Sequence, residues 1–184
     1  MKRHTQNQNT IECSVHSVLG AFHISATPLG LRSLRFPEQA EAHHVIEAET
    51  ILPRQHHDPH PHQQEKWLHM TRQWLTAYLS GQPLPLLPPI DMAWCTPFGN
   101  QVYQQLMMVP SGHTVTYGEL AFQLARPNSA RAIGSWMAKN QIPIIIPCHR
   151  VLPKSGALGG WSGPRGMKKW LLNHERNASF TSLP

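Results

Sequence analysis

Four prolines fall within seven positions, at Pro83, Pro85, Pro88 and Pro89. Each fixes φ and lacks an amide donor, so no helix can cross this stretch and no central strand can contain it. Gln82 to Asp91 is therefore predicted to be an extended linker. It divides the 184 residues near position 90, into 1–90 and 91–184, each long enough for a small domain. Charge differs across that boundary. Residues 1–90 hold seven Lys/Arg and seven Asp/Glu, whereas residues 91–184 hold nine Lys/Arg against only Asp91, Glu119 and Glu175. The whole excess of +6 lies in the second half, which suits a polyanion-binding surface.

Periodicity supplies the elements. Val18 to Ile24 and Gly30 to Phe36 read as strands around a Thr27-Pro28-Leu29-Gly30 turn. Trp67, Met70, Trp74, Leu75 and Tyr78 recur at helical spacing, so Gln64 to Ser80 reads as a helix stopped by Gly81. Between them, residues 55–62 form a His/Pro-rich loop. In the second half, Thr96 caps a helix that opens on Pro97. Thr116 precedes a second helix to Ala125, and Ser129 caps a third to about Lys139, giving a helix-turn-helix pattern. Pro143 to Pro147 encloses a β-branched run that reads as a short buried strand ending at Cys148. A glycine-rich loop follows, then a last helix from about Arg165 to Glu175. The predicted fold class is an α/β N-terminal domain, a small sheet plus helices, followed by a mainly α C-terminal domain with a helix-turn-helix and a short strand.

Cys148 is the residue with the clearest chemistry. A free thiol with a pKa of roughly 8.5 is only slightly ionised at neutral pH, and the thiolate is the nucleophile. His149 is the adjacent base, and Arg150 adds positive potential. The base needs an orienting group, and Glu175 is one of only three carboxylates in this half. Three cysteines (Cys13, Cys95, Cys148) are too few and odd for a disulfide framework, which points to a reducing, intracellular setting. No apolar run of membrane-spanning length occurs, and the polar stretch Met1 to Thr10 does not resemble a secretory signal.

The segment Ile146-Pro147-Cys148-His149-Arg150-Val151 resembles the signature of the O6-alkylguanine-DNA alkyltransferases. Thr96-Pro97-Phe98, Pro110 to Ala121, Ala130 to Gly134, Asn140 and Trp170 to Glu175 also resemble family blocks, in order and spacing. Residues 91–184 thus resemble the family's DNA-binding alkyltransferase domain, and residues 1–90 its variable N-terminal domain. The resemblance implies direct, stoichiometric and irreversible transfer of an alkyl group to the protein's own cysteine. The donor would be O6-alkylguanine, and also O4-alkylthymine, in double-stranded DNA, with the base flipped out. It implies no cofactor, an intracellular monomer and no membrane.

Residue by residue, the resemblance makes Cys148 the acceptor, His149 its base through a water, and Glu175 the residue that fixes the His149 tautomer. Tyr117 would donate toward N3 of the guanine. Asn140 would brace the turn after the recognition helix, and Arg131 would fill the gap left by the extruded nucleotide. Thr116, Ala130, Ala132 and Ser135 would lie against the DNA; small side chains suit a narrow minor groove. Met137, Pro143, Val151, Trp161, Ser162 and Gly159 would form the substrate pocket.

Trp161 departs from the tyrosine frequent in relatives and is expected to narrow the pocket for bulky adducts. Tyr103 replaces a usual tryptophan, and Cys95 a usual glycine. Some relatives hold a structural zinc in the N-terminal domain. Here Cys13 is the only thiolate there, with His16, His23 and the cluster His56, His57, His60 and His62, and a solvated loop is the expected reading. Three rivals are weaker. An alkyltransferase-like DNA sensor lacks the acceptor cysteine. A cysteine hydrolase wants local signatures absent here. A helix-turn-helix regulator would need a further module.

Overall fold

The computed structural model describes residues 10–17, 19–37 and 61–178. Most of the His/Pro-rich segment, including His56, His57 and His60, lies outside them. The N-terminal part is a three-stranded antiparallel sheet in the order β1 (Ile11–Ser17), β2 (Gly20–Thr27), β3 (Gly30–Arg35). β1 was not expected from sequence. It is an edge strand in which Ile11, Cys13 and Val15 alternate with Glu12, Ser14 and His16, and only Val15 is fully buried. The Thr27-to-Gly30 turn joins β2 and β3 as predicted, and a register shift follows at Ser25/Ala26.

α1 (Pro61–Leu79) packs across this sheet. Trp67, Thr71, Trp74 and Tyr78 share its buried face at i, i+4, i+7, i+11 spacing, with Leu68 and Leu75 beside them. Leu31, Leu34, Ile24 and Phe22 meet them from the strands, so the core of this part lies between helix and sheet.

The proline-rich stretch contains no helix, as its composition demands, but it is docked rather than loose. Leu31 N donates to Pro89 O (2.8 Å), and Asp91 N donates to Leu31 O (2.9 Å), so the stretch runs along β3. Gly30 has φ +146°, and a Cβ there would sit 2.2 Å from Pro89 O; only glycine allows this approach. Asp91 is buried and locks the end of the stretch. It accepts from Thr27 Oγ1 (2.8 Å) and Ala93 N (2.9 Å) and pairs with Arg32 (3.2 Å).

The C-terminal part is mainly helical: α2 (Pro97–Met107), α3 (Tyr117–Gln123), α4 (Ala130–Ala138) and α5 (Met167–Asn177). Thr96 caps α2 through Gly99 N (3.2 Å), and Thr116 with Glu119 forms a reciprocal capping box on α3. α3 packs on α4 as a helix-turn-helix pair. Ser129 does not cap α4. Its hydroxyl turns back to Arg126 O (2.7 Å), because its backbone has already left the extended conformation a cap requires. The two short strands of this part, β4 (Val115–Thr116) and β5 (Val151–Leu152), pair in parallel.

The isoleucine run is not a strand. Ile146 N closes onto Ile142 O (2.9 Å), and Ile144 takes φ +73°, so the chain makes a tight buried turn. Burial of three isoleucines drives a β-branched residue into the left-handed region, against its local preference. The turn leads directly into a 3₁₀ turn at Cys148–Arg150. Leu34 N donates to Gln141 O (2.8 Å), joining β3 to this region.

Candidate active site

The 3₁₀ turn at Cys148–Arg150 buries three consecutive reactive or charged side chains. All three could not be buried without partners. Glu175, buried on α5, supplies most of them. Its Oε1 accepts from His149 Nε2 (2.7 Å), Arg150 Nη2 (2.8 Å) and Tyr78 Oη (2.7 Å); its Oε2 accepts from Arg150 Nε (2.9 Å) and Gly112 N (3.1 Å). Five donors from four residues in three parts of the chain thus converge on one carboxylate. Arg150 turns its remaining amine to Val109 O (2.5 Å). It therefore acts as a brace for Glu175 rather than as a cation aimed at the sulfur.

The protonation states follow. Burial alone would raise the Glu175 carboxyl, but hydrogen bonds from His149 and Arg150 outweigh it and hold the carboxyl well below the usual carboxylate range. A carboxylate only accepts, so the hydrogen between it and the imidazole sits on His149 Nε2. Burial holds His149 below the ordinary imidazole value, so it is neutral near pH 7. Nδ1 is then the basic nitrogen, and it is buried with no hydrogen-bond partner among the described residues.

Burial pushes the Cys148 thiol up; hydrogen bonds from Trp161 and Asn140 and the charge of Lys168 pull it part of the way back. Trp161 Nε1 donates to Cys148 Sγ at 3.2 Å. Asn140 ties the preceding turn at both ends, donating to Ile146 O (2.7 Å) and accepting from Ile142 N (3.0 Å). Tyr117 stands half-buried at the start of α3. Burial and then the nearby Cys148 charge raise its hydroxyl, so it stays a protonated donor.

A cleft of about 610 Å³ reaches the sulfur, lined by Asn140, Pro143, Cys148, Trp161 and Ser162 and, from the end of β3, Phe36. Met137 and Val151 are buried outside that lining, and Gly159 lies in an exposed loop against Pro153. On α4, Arg131, Ala132 and Ser135 are exposed and Ala130 is partly so; Thr116 is engaged as the α3 cap. Seven of the nine cations in residues 91–184 are exposed, the exceptions being Arg150 and Lys168.

Sequence reasoning missed two contributors. Lys168 is buried and donates to Val151 O (2.9 Å). Its seven-residue spacing from Glu175 puts both on one face of α5, which was a readable signal. Tyr78 comes from the other half of the chain, and no local pattern marks it as more than core. Among the described residues no three His, Cys, Asp or Glu side chains gather as metal ligands, and no helix is long and apolar enough to cross a membrane.

The buried His149 and Glu175 make stability depend on pH with a definite sign. Both have folded pKa values below their unfolded ones, so the unfolded chain takes up protons first as pH falls. The His149 contribution is complete above about pH 6.5 and is lost below it; the Glu175 loss adds below about pH 4.3. Tm is expected to be level between pH 7 and 8 and to fall from about pH 6.5 downward, with the first limb flattened in His149→Gln. Thermal melts across pH check this.

A sequence model of the 6-O-methylguanine DNA methyltransferase DNA binding domain matches residues 97–177. The methylated-DNA–protein-cysteine methyltransferase of Salmonella typhimurium is 48% identical over 102 residues, covering 55% of this chain and 59% of that protein. The mouse protein of the same name is 42% identical over 111 residues, covering 55% and 52%. The matched stretch therefore spans little more than half the length of these curated relatives. Solved structures match more completely. The Mycobacterium tuberculosis O6-methylguanine methyltransferase has TM-score 0.70 at 28% identity, covering 94% of this chain and 96% of that one. The Mycobacterium tuberculosis OGT in complex with DNA has TM-score 0.68 at 30% identity, covering 89% and 91%. With the cysteine, histidine and glutamate of the signature brought together, the chain belongs to the O6-alkylguanine-DNA alkyltransferase family.

Proposed function

We propose that this protein repairs DNA by moving the alkyl group of O6-alkylguanine, and of O4-alkylthymine, onto Cys148, once per molecule. The observation that carries the reading is the buried Cys148 set beside a His149 whose Nε2 is committed to Glu175, leaving Nδ1 as the free base. His149 Nδ1 takes the thiol proton through one water. The thiolate attacks the alkyl carbon on O6; the S–C bond forms as the C–O6 bond breaks, and the electron pair leaves with the guanine. Tyr117 donates toward N3 as that charge develops, and the proton first held by His149 finally returns to the base. The resulting thioether has no easy route back, so the protein is consumed.

The target oxygen in a stacked guanine is closed to a buried thiol, so the base must be flipped out at a cost of a few kcal/mol. Arg131, exposed on α4, is the side chain suited to fill the gap. Ala130, Ala132 and Ser135 around it leave room for the minor groove, and the exposed cations of residues 91–184 bind phosphates without regard to sequence. The partner is double-stranded DNA, the protein acts as an intracellular monomer, and no cofactor enters the reaction. We read 91–184 as the DNA-binding alkyltransferase domain and 1–90 as the variable N-terminal domain.

The test is direct. After incubation with duplex DNA carrying O6-methylguanine, the peptide containing Cys148 should gain the mass of one methylene, in a one-to-one burst without turnover. An unmodified Cys148 alongside tight DNA binding would refute transfer and leave only damage recognition.

A further inference from the structure

The indole of Trp161 is held on three sides. Its N–H meets Cys148 Sγ at 3.2 Å. Phe36 contacts its ring in a T-shaped arrangement (centroids 5.5 Å apart, planes at 73°). Gly163 lies so close beneath that a Cβ there would sit 2.3 Å from Cζ3. Phe36 in turn rests on buried Phe22 (5.7 Å), so a row of aromatic rings runs from the N-terminal sheet to the sulfur. A ring clamped in this way cannot be a loose pocket wall. It presents one polar hydrogen, and that hydrogen points at the nucleophile.

A hydrogen bond from N–H to sulfur is weak for a thiol and much stronger for a thiolate, because charge-assisted bonds are roughly twice as strong as neutral ones. Such a donor therefore favours the ionised form. The phenol of tyrosine, the residue frequent at this position in relatives, offers a rotating hydroxyl in place of a fixed ring N–H.

We propose that the Trp161 indole N–H is a dedicated donor that stabilises the Cys148 thiolate, and that Phe36, from the N-terminal sheet, is the residue that positions it. This rests on the reading of Cys148 as the alkyl acceptor, but it concerns the ionisation of the sulfur and not its DNA substrate. The other groups facing Cys148 are His149 next in the chain, Tyr103 on α2, Tyr117 on α3, Asn140 after α4 and Lys168 on α5. All stay in place in the variants below.

The experiment measures the rate of Cys148 carboxamidomethylation by iodoacetamide against pH, on the full chain without DNA, read from the mass of the Cys148 peptide. The midpoint of this profile reports thiolate formation independently of how open the cleft is. In Trp161→Phe the midpoint should rise by about one pH unit, leaving roughly tenfold less thiolate at neutral pH. Phe36→Leu keeps apolar bulk but removes the ring edge, and should shift the midpoint in the same direction by less. If Trp161→Phe is poorly folded, 3-benzothienylalanine at position 161 replaces only the N–H with sulfur in a ring of the same shape. An unchanged midpoint in that protein, or in folded Trp161→Phe, overturns the donor role; an unchanged midpoint in Phe36→Leu alone overturns the positioning role. Failure of alkyl transfer from DNA with the midpoint shift intact would instead count against the proposed function.

Discussion

Glu175→Gln is expected to cost about 3–5 kcal/mol of stability and to slow alkyl transfer at least about a hundredfold, although the side chain keeps its shape. The reason lies in the number of donors aimed at it. Oε1 accepts three and Oε2 accepts two. A glutamine has one oxygen and one amide nitrogen, so either orientation turns N–H groups against N–H or O–H groups in a buried site. Arg150 loses its counter-charge while remaining buried. For a chain of this size the loss corresponds to a fall in Tm on the order of 10 °C. The slower transfer has a separate origin. An amide nitrogen facing His149 would favour the tautomer with hydrogen on Nδ1, which can no longer take a proton from the thiol. Calorimetry and single-turnover transfer on the same sample separate the two effects. A Tm within about 2 °C of wild type would show that the convergence carries little energy.

Asn140 should rank second. Asn140→Ala leaves Ile142 N–H without its partner and takes one of two donors from the Ile146 carbonyl, which keeps Cys148 N (2.8 Å). The unsatisfied N–H costs roughly 1–3 kcal/mol and the lost bond to the carbonyl about 1 kcal/mol, so a loss of about 2–4 kcal/mol is expected. The turn also holds Ile144 at φ +73°, a conformation that persists only while its surroundings enforce it. Releasing it lets Cys148, four residues on, drift from its base. Asn140→Asp should transfer more slowly than Asn140→Ala. It sets a carboxylate oxygen against the Ile146 carbonyl and brings negative charge toward a sulfur that must itself become an anion. Transfer rates in the order wild type, alanine, aspartate, with melts for each, test this. Aspartate matching wild type would contradict it.

The sequence revealed the site unevenly, and for physical reasons. Cys148 and His149 are adjacent, and Glu175 stood out because carboxylates are scarce in that half. The cap at Thr96 was legible because capping is local chemistry, whereas Ser129 had the right residue type but not the backbone conformation. The isoleucine run was misread because β-branched composition argues for a strand, while the left-handed turn at Ile144 is imposed by burial from outside. β1 carries a legible signal, Ile11, Cys13 and Val15 alternating with Glu12, Ser14 and His16, but the run is short and one of its three apolar residues is a cysteine. Lys168 shares a face of α5 with Glu175, a signal in the spacing, but nothing local says that it is buried against Val151.

Tyr78 ties the N-terminal part of the chain to the site. Its hydroxyl reaches Glu175 Oε1 from α1, 97 positions earlier in the chain, and its carbonyl holds His174 Nε2 at 2.6 Å. The hydrogen-bond set behind Cys148 is therefore a joint product of both halves. A chimaera that replaces the N-terminal part of this chain must supply a donor at the register of Tyr78, or Glu175 Oε1 loses one of its three. At that one position the N-terminal part carries a share of the chemistry housed in the other.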